Sequence, residues 1–81
     1  MYYVYIIRSI SFPDQTYVGY TYQLKKRLAE HNAGESSHTS KYLPWEFESF
    51  FGFKNKTTAL KFEKYLKSHA GRAFASKRFF E

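Results

Sequence analysis

The sequence predicts a small α/β (α+β) domain: a three-stranded, mainly antiparallel sheet flanked by helices in the order β-β-α-β-α-α. Three observations carry this expectation. Strand-like stretches recur at 2–7, which is aromatic and β-branched, at 16–20, and at 45–53, which alternates loosely. Stretches with helical spacing of apolar residues follow the second and third of these. The chain has 81 residues, which is the size of one domain, 1–81, and leaves no room for a second.

Each element has its own local reason. Tyr2 to Ile7 is almost wholly aromatic or β-branched, as a strand requires. Pro13-Asp14 marks a turn, so Thr16 to Tyr20 returns as the second arm of a hairpin. Thr21 is the expected N-cap of a helix from about Gln23 to Asn32. Leu24 stands where a capping box would place Glu or Gln, so the start signal is partial. Gly34 ends that helix. Glu35 to Tyr42 is polar and rich in Ser and Thr, a loop with room for one helical turn, and Pro44 blocks any extension. Trp45 to Phe53 is the third strand, and Lys54-Asn55-Lys56 a turn. Thr57 is the expected cap of a helix from about Thr58 to His69 that ends at Gly71. Arg72 to Phe79 is expected to form a last short helix.

Composition excludes several classes of function. There is no cysteine, which removes disulfide scaffolds, thiolate zinc sites and cysteine nucleophiles. Apolar runs are only a few residues long, so no membrane-spanning helix is expected. The start Met1-Tyr2-Tyr3-Val4-Tyr5 lacks the basic and apolar regions of a signal peptide, so a cytoplasmic location is expected. The chain carries 9 Phe, 8 Tyr and 1 Trp. Aromatics of that number supply the core that so short a domain would otherwise lack; Phe50, Phe53 and Phe62 are assigned to it.

The net charge is +6, and it is concentrated late in the chain. Lys54, Lys56, Lys61, Lys64, Lys67, Arg72, Lys77 and Arg78 lie between Ser49 and Phe80, against a single acid, Glu63. Such a stretch is either a solvated helical face or a surface facing phosphates, where lysines release counterions from a polyanion.

Helical wheels single out the side chains that sit badly on that bland reading. With Leu24 at the origin, Leu28, His31 and Arg27 fall within about 60° of it. The first helix therefore directs an imidazole and a guanidinium along its apolar edge, either as a snorkelling Arg and a core His or as working groups. In the later helix Glu63 lies about 40° from Ala59, inside the arc of Phe62, Leu66 and Ala70. A carboxylate on a core face is costly unless it is paired or holds a metal. Mg²⁺ is commonly held by one or two protein carboxylates, with water and substrate phosphate completing its shell. The only Asp is Asp14, in a turn, so a cluster of several carboxylates around two metals is not expected. Tyr3, Tyr5 and Ile7 share one strand face, and Tyr17 and Gly19 share another. Gly19 within a strand points to the close approach of a backbone or a ligand.

Tyr3-Val4-Tyr5 followed by Tyr17-Val18-Gly19, with Arg27 and His31 in the next helix and Glu63 in the later one, resembles the signature of the GIY-YIG nucleases. The landmarks run from residue 3 to residue 63, and their order and spacing are more specific than either tripeptide. The resemblance implies a GIY-YIG endonuclease-like fold and a divalent-metal-dependent phosphodiester hydrolase. Glu63 would hold Mg²⁺ or Mn²⁺. Tyr5 or Tyr17, with His31, would orient or deprotonate the attacking water, and Arg27 would stabilise charge on the phosphoryl oxygens. This assigns Tyr5 and Tyr17 to the site rather than to the core. His38 and Lys41, in the polar loop, and Lys64 and Lys67 are candidate phosphate contacts.

The chain departs from the family pattern at two places. Tyr3 stands where the first tripeptide has glycine. Many family members carry an asparagine after the metal-binding glutamate, whereas Asn32 and Asn55 both precede Glu63 here. Two functions follow. One is a metal-dependent endonuclease acting on DNA with low sequence specificity, RNA being a further candidate substrate, in repair or recombination. The other is a nucleic-acid-binding module on the same fold that does not cleave.

Overall fold

The computed structural model describes residues 1–68. The elements are β1 (Tyr2–Ser9), β2 (Thr16–Thr21), α1 (Leu24–Asn32), a 3₁₀ turn (Ser40–Tyr42), β3 (Trp45–Phe53) and α2 (Lys56–Lys67). The expected order is therefore present up to α2. The expected end of the later helix at His69 and Gly71, the contribution of Ala70, and the last helix over Arg72 to Phe79 lie outside the described residues, as do the cations Arg72, Lys77 and Arg78.

The sheet has the order β2-β1-β3, with both neighbours antiparallel to the central strand. Tyr5 stands opposite Gly19 on one side and Phe50 on the other. A register shift between Ile6 and Ile7 marks a bulge against β3. Because side chains alternate across a strand, β1 feeds two cores. Val4 and Ile6 pack with Ala59 and Leu66 of α2 and with Val18, Phe51, Phe53 and Phe62. Tyr5 and Ile7 pack with Trp45, Tyr17 and Phe47, and with Leu24 and Leu28 of α1. The result is a sheet with one helix on each face, which is why Val4 to Ile7 form one uninterrupted buried run.

Three details of the local reading are corrected. The hydroxyl of Thr21 accepts from the N–H of Gln23 at 3.0 Å, bracing the turn ahead of α1, and Gln23 itself is the N-cap. The cap of α2 is Asn55, whose Oδ1 accepts from the N–H of Thr58 at 3.1 Å. Asparagine's short amide reaches the open N–H groups from an extended backbone, so the helix starts two residues before the position that Thr57 marked. Phe50, assigned to the core, is 53% exposed. It meets Tyr3 and Phe47 edge to face on the outer strand β3, which leaves the rest of its ring in water. Gly34, by contrast, closes α1 as expected, at φ 79°.

Asn32 ties the end of α1 to the start of β3. Its Oδ1 accepts from the Trp45 N–H at 2.6 Å, and its Nδ2 donates to the Trp45 carbonyl at 3.0 Å. Together with Asn55, this gives both asparagines of the chain a structural task.

Asn55→Ala is expected to cost about 1 kcal/mol of stability in urea unfolding, the usual worth of an N-cap. Thr57→Ala, an exposed position inside the first turn, is expected to stay within about 0.5 kcal/mol. The reverse ranking would place the cap at Thr57.

Candidate active site

The site is built around one close approach. A Cβ added at Gly19 would collide with the hydroxyl and Cζ of Tyr5. The Tyr5 ring thus lies flat across β2, and only a residue without a side chain lets it pass. The approach expected at Gly19 is therefore made by a side chain of the neighbouring strand. Tyr5 is 1% exposed, so it belongs to the core and to the site together, a correction to the reading that took it out of the core.

Having crossed Gly19, the Tyr5 hydroxyl lies 2.7 Å from Nε2 of His31. The other ring nitrogen, Nδ1, lies 2.7 Å from the Thr39 hydroxyl. The Thr39 carbonyl in turn accepts from the Trp45 indole N–H at 2.8 Å. Thr39 is buried in the otherwise polar loop, and it fixes the imidazole as the partner of a ligating or catalytic histidine must. A neutral imidazole has one N–H and one acceptor nitrogen. Tyr5 can therefore donate to Nε2 while Nδ1–H donates to Thr39.

The surroundings hold His31 in that neutral form. Burial, and then the nearby Arg27 guanidinium, push its pKa from the usual 6.5 down to about 4. Burial raises the Tyr5 phenol to about 12, with Arg27 opposing and Tyr17 and Glu63 adding to the rise. Arg27 is itself steadied by Glu30 one turn on, at 3.1 Å. The two groups that the wheel placed on the apolar edge of α1 thus meet Tyr5 from one side.

Tyr17 and Glu63 also lie close enough to act on Tyr5. The Tyr17 ring is half-buried, edge to face with His31 at 5.3 Å and stacked near His38 at 6.5 Å. The Glu63 side chain is 19% exposed, and its Oε2 pairs with Nζ of Lys67 at 3.2 Å. The same Nζ sits 5.4 Å from the centre of the Tyr17 ring. Lys67, read as a phosphate contact, is thus turned onto the carboxylate. His38, Lys41 and Lys64 are exposed. Among them only His38 is brought against the site, through its stacking on Tyr17.

Glu63 is a single hard donor of the kind a divalent cation takes. Among the described residues there is no group of three or more His, Cys, Asp and Glu side chains that could enclose a metal. An ion at Glu63 would take one protein carboxylate and complete its shell from water and phosphate, as Mg²⁺ commonly does. The Lys67 ammonium already occupies a cation position on that carboxylate.

Sequence reasoning missed Thr39, Glu30 and Lys67 in these roles. Glu30 carried a signal, since its spacing from Arg27 is that of a helical ion pair. Thr39 carried none, because nothing in the loop's composition says which hydroxyl turns inward.

Two outcomes are expected here. Gly19→Ala forces Tyr5 or β2 to move and should cost about 1–3 kcal/mol or more, the cost of overpacking, measured by urea unfolding. The folded pKa of His31, about 4, lies below its ordinary 6.5, so the unfolded chain takes up the proton first as pH falls. The stability from this residue is complete above pH 6.5 and is lost as pH drops toward 4. Between pH 7 and pH 5 that loss is about 2 kcal/mol. Urea unfolding at the two pH values should show this slope in the wild type and lack it in His31→Gln. Equal slopes would mean that the imidazole is not held neutral.

No helix among the described residues is long and apolar enough to cross a membrane. A family model for the GIY-YIG catalytic domain matches residues 1–77. The structure-specific endonuclease subunit SLX1 homolog of Giardia intestinalis is 38% identical over 65 residues, covering 75% of this chain and 18% of that protein. Subunit SLX1 of Malassezia globosa is 38% identical over 77 residues, covering 89% and 17% respectively. A UPF0213 protein of Streptococcus pyogenes is 37% identical over 73 residues, covering 88% of this chain and 76% of its own length. The chain thus spans less than a fifth of those two SLX1 relatives and about three-quarters of the streptococcal one. With the match running over nearly the whole sequence, and with the tyrosine pair, Arg27, His31 and Glu63 converging on one edge of the sheet, the chain belongs to the GIY-YIG catalytic domain family.

Proposed function

We propose that this protein is a divalent-metal-dependent endonuclease that hydrolyses DNA phosphodiester bonds with little sequence specificity, in a cytoplasmic repair or recombination setting. One observation carries the reading: a buried imidazole, a guanidinium, two tyrosines and a single carboxylate meet at the β2 edge. The names of the SLX1 relatives, structure-specific endonuclease subunits, support the same class of reaction. Low sequence specificity fits a surface that offers lysines for phosphates.

Each group has a task in that reaction. Tyr17, half-buried beside His31, orients the attacking water. The water's proton passes to the Tyr5 hydroxyl as Tyr5 gives its own to Nε2 of His31, so a phenol that stays protonated at neutral pH still serves as a relay. Arg27 faces the phosphoryl oxygens, whose charge grows as the water oxygen bonds to phosphorus and the bond to a sugar oxygen breaks, the departing oxygen taking a proton from solvent water. Glu63 would hold Mg²⁺ or Mn²⁺, which when bound supplies Lewis-acid polarisation of the phosphate. Lys67 must then leave the carboxylate.

The Lys67 contact also favours a second reading, a DNA-binding module whose carboxylate is kept by its own lysine. Supercoiled plasmid with Mg²⁺ or Mn²⁺ separates the two. Wild type is expected to nick it, and Glu63→Ala to lose the several kcal/mol that metal polarisation supplies, a drop of more than about a hundredfold, while still binding. Binding should weaken steeply with salt. If wild type and variant bind equally and neither nicks, the binding module is the better account. If the variant nicks like wild type, Glu63 is not the metal ligand.

A further inference from the structure

A cleft of about 400 Å³ lies where β1 begins and β2 ends, lined by Met1, Tyr2, Tyr20, Tyr22 and Lys56. The Tyr2 and Tyr20 rings stack at 6.3 Å and 29°, forming one wall. Lys56, exposed at the first position of α2, puts a cation at the rim. Tyr22 is 68% exposed. It is also part of the lining of a smaller cavity, of about 160 Å³, that holds Arg27, Lys26 and Glu30. One residue therefore borders both the aromatic cleft and the pocket of the guanidinium assigned to the scissile phosphate.

We propose that this cleft receives an unpaired nucleobase of a single-stranded DNA segment next to the phosphate held by Arg27. The inference rests on the endonuclease reading for the position of that phosphate, and it adds the substrate feature that the site selects. Three observations carry it. Flat aromatic walls match the face of any base, and such stacking is sequence-tolerant. Lys56 at the rim and the chain's net charge of +6 complement a phosphate backbone. The shared Tyr22 places the cleft beside the Arg27 pocket. A base in a duplex is stacked and paired, and cannot offer its face to the cleft, whereas one in an overhang or flap can.

Binding tests this without cleavage. Labelled DNA is titrated with wild type and Tyr22→Ala in EDTA, as a blunt duplex and as the same duplex with a short single-stranded overhang. Wild type should bind the overhang DNA more tightly. Tyr22→Ala should lose about tenfold on it, the scale of one base–aromatic stack, and much less on the blunt duplex. Tyr22→Phe should restore the preference, and abasic residues in the overhang should abolish it for wild type. Equal losses on both DNAs, no loss, or an abasic overhang that binds as well as a normal one would overturn the proposal. Because nothing is cleaved, a failure to nick plasmid would count against the endonuclease reading alone.

Discussion

The Tyr5 side chain crosses β2 at Gly19, and the rest of the site depends on that crossing. A Cβ at Gly19 would occupy the space of the phenol, so the ring would have to swing away from His31. The hydrogen bond at 2.7 Å would go with it, and so would the reason for His31 to lie buried. The position is equally a packing constraint. Tyr5 belongs to the core that joins α1 to the sheet, so the contact that places the phenol also sets how closely α1 sits. A site on the central strand and a packed helix is more rigid than one on a loop. Only Thr39, among the groups holding His31, comes from a loop, and it is itself anchored by Trp45.

The electrostatics follow from this geometry. An imidazole out of water beside a guanidinium is disfavoured as a cation, so His31 keeps a free lone pair at neutral pH, as a base needs. A phenol out of water is disfavoured as an anion, so Tyr5 keeps its proton. Each group is thus in the protonation state that lets a proton move from Tyr5 to His31 as another arrives. The only acid of the basic stretch, Glu63, lies close enough to add to the rise at Tyr5. Its lysine partner, one turn on, neutralises the charge that a metal ion would otherwise meet.

Much of this was legible in the sequence, for identifiable reasons. Strand β1 is marked by aromatic and β-branched residues whose preference agrees with their burial. Arg27, His31 and Glu63 stood out because a charged or polar group on an apolar helix face is expensive, and the same cost is what makes such groups useful. Less legible was what depends on reach. Thr57 and Asn55 are both good cap residues, and only the entry path of the chain decides between them. Phe50 and Phe53 are identical in type, yet Phe53 packs toward Phe62 while Phe50 is left half in water. Lys67 read as one more cation of a basic face, although its i,i+4 spacing from Glu63 is that of a helical ion pair. The closing stretch of the chain, from His69 on, lies outside the described residues.

The central claim is that Tyr5 and His31 form a hydrogen-bonded pair with the imidazole neutral. ¹⁵N NMR of the imidazole nitrogens through a pH titration, in the wild type and in Tyr5→Phe, tests it most directly. The His31 signals should remain those of a neutral ring down to about pH 4, with Nε2 the bare nitrogen in the wild type and its shift changed when the phenol hydroxyl is removed. A ring that gains its second proton near pH 6.5, or an Nε2 shift indifferent to the loss of the hydroxyl, would contradict the account.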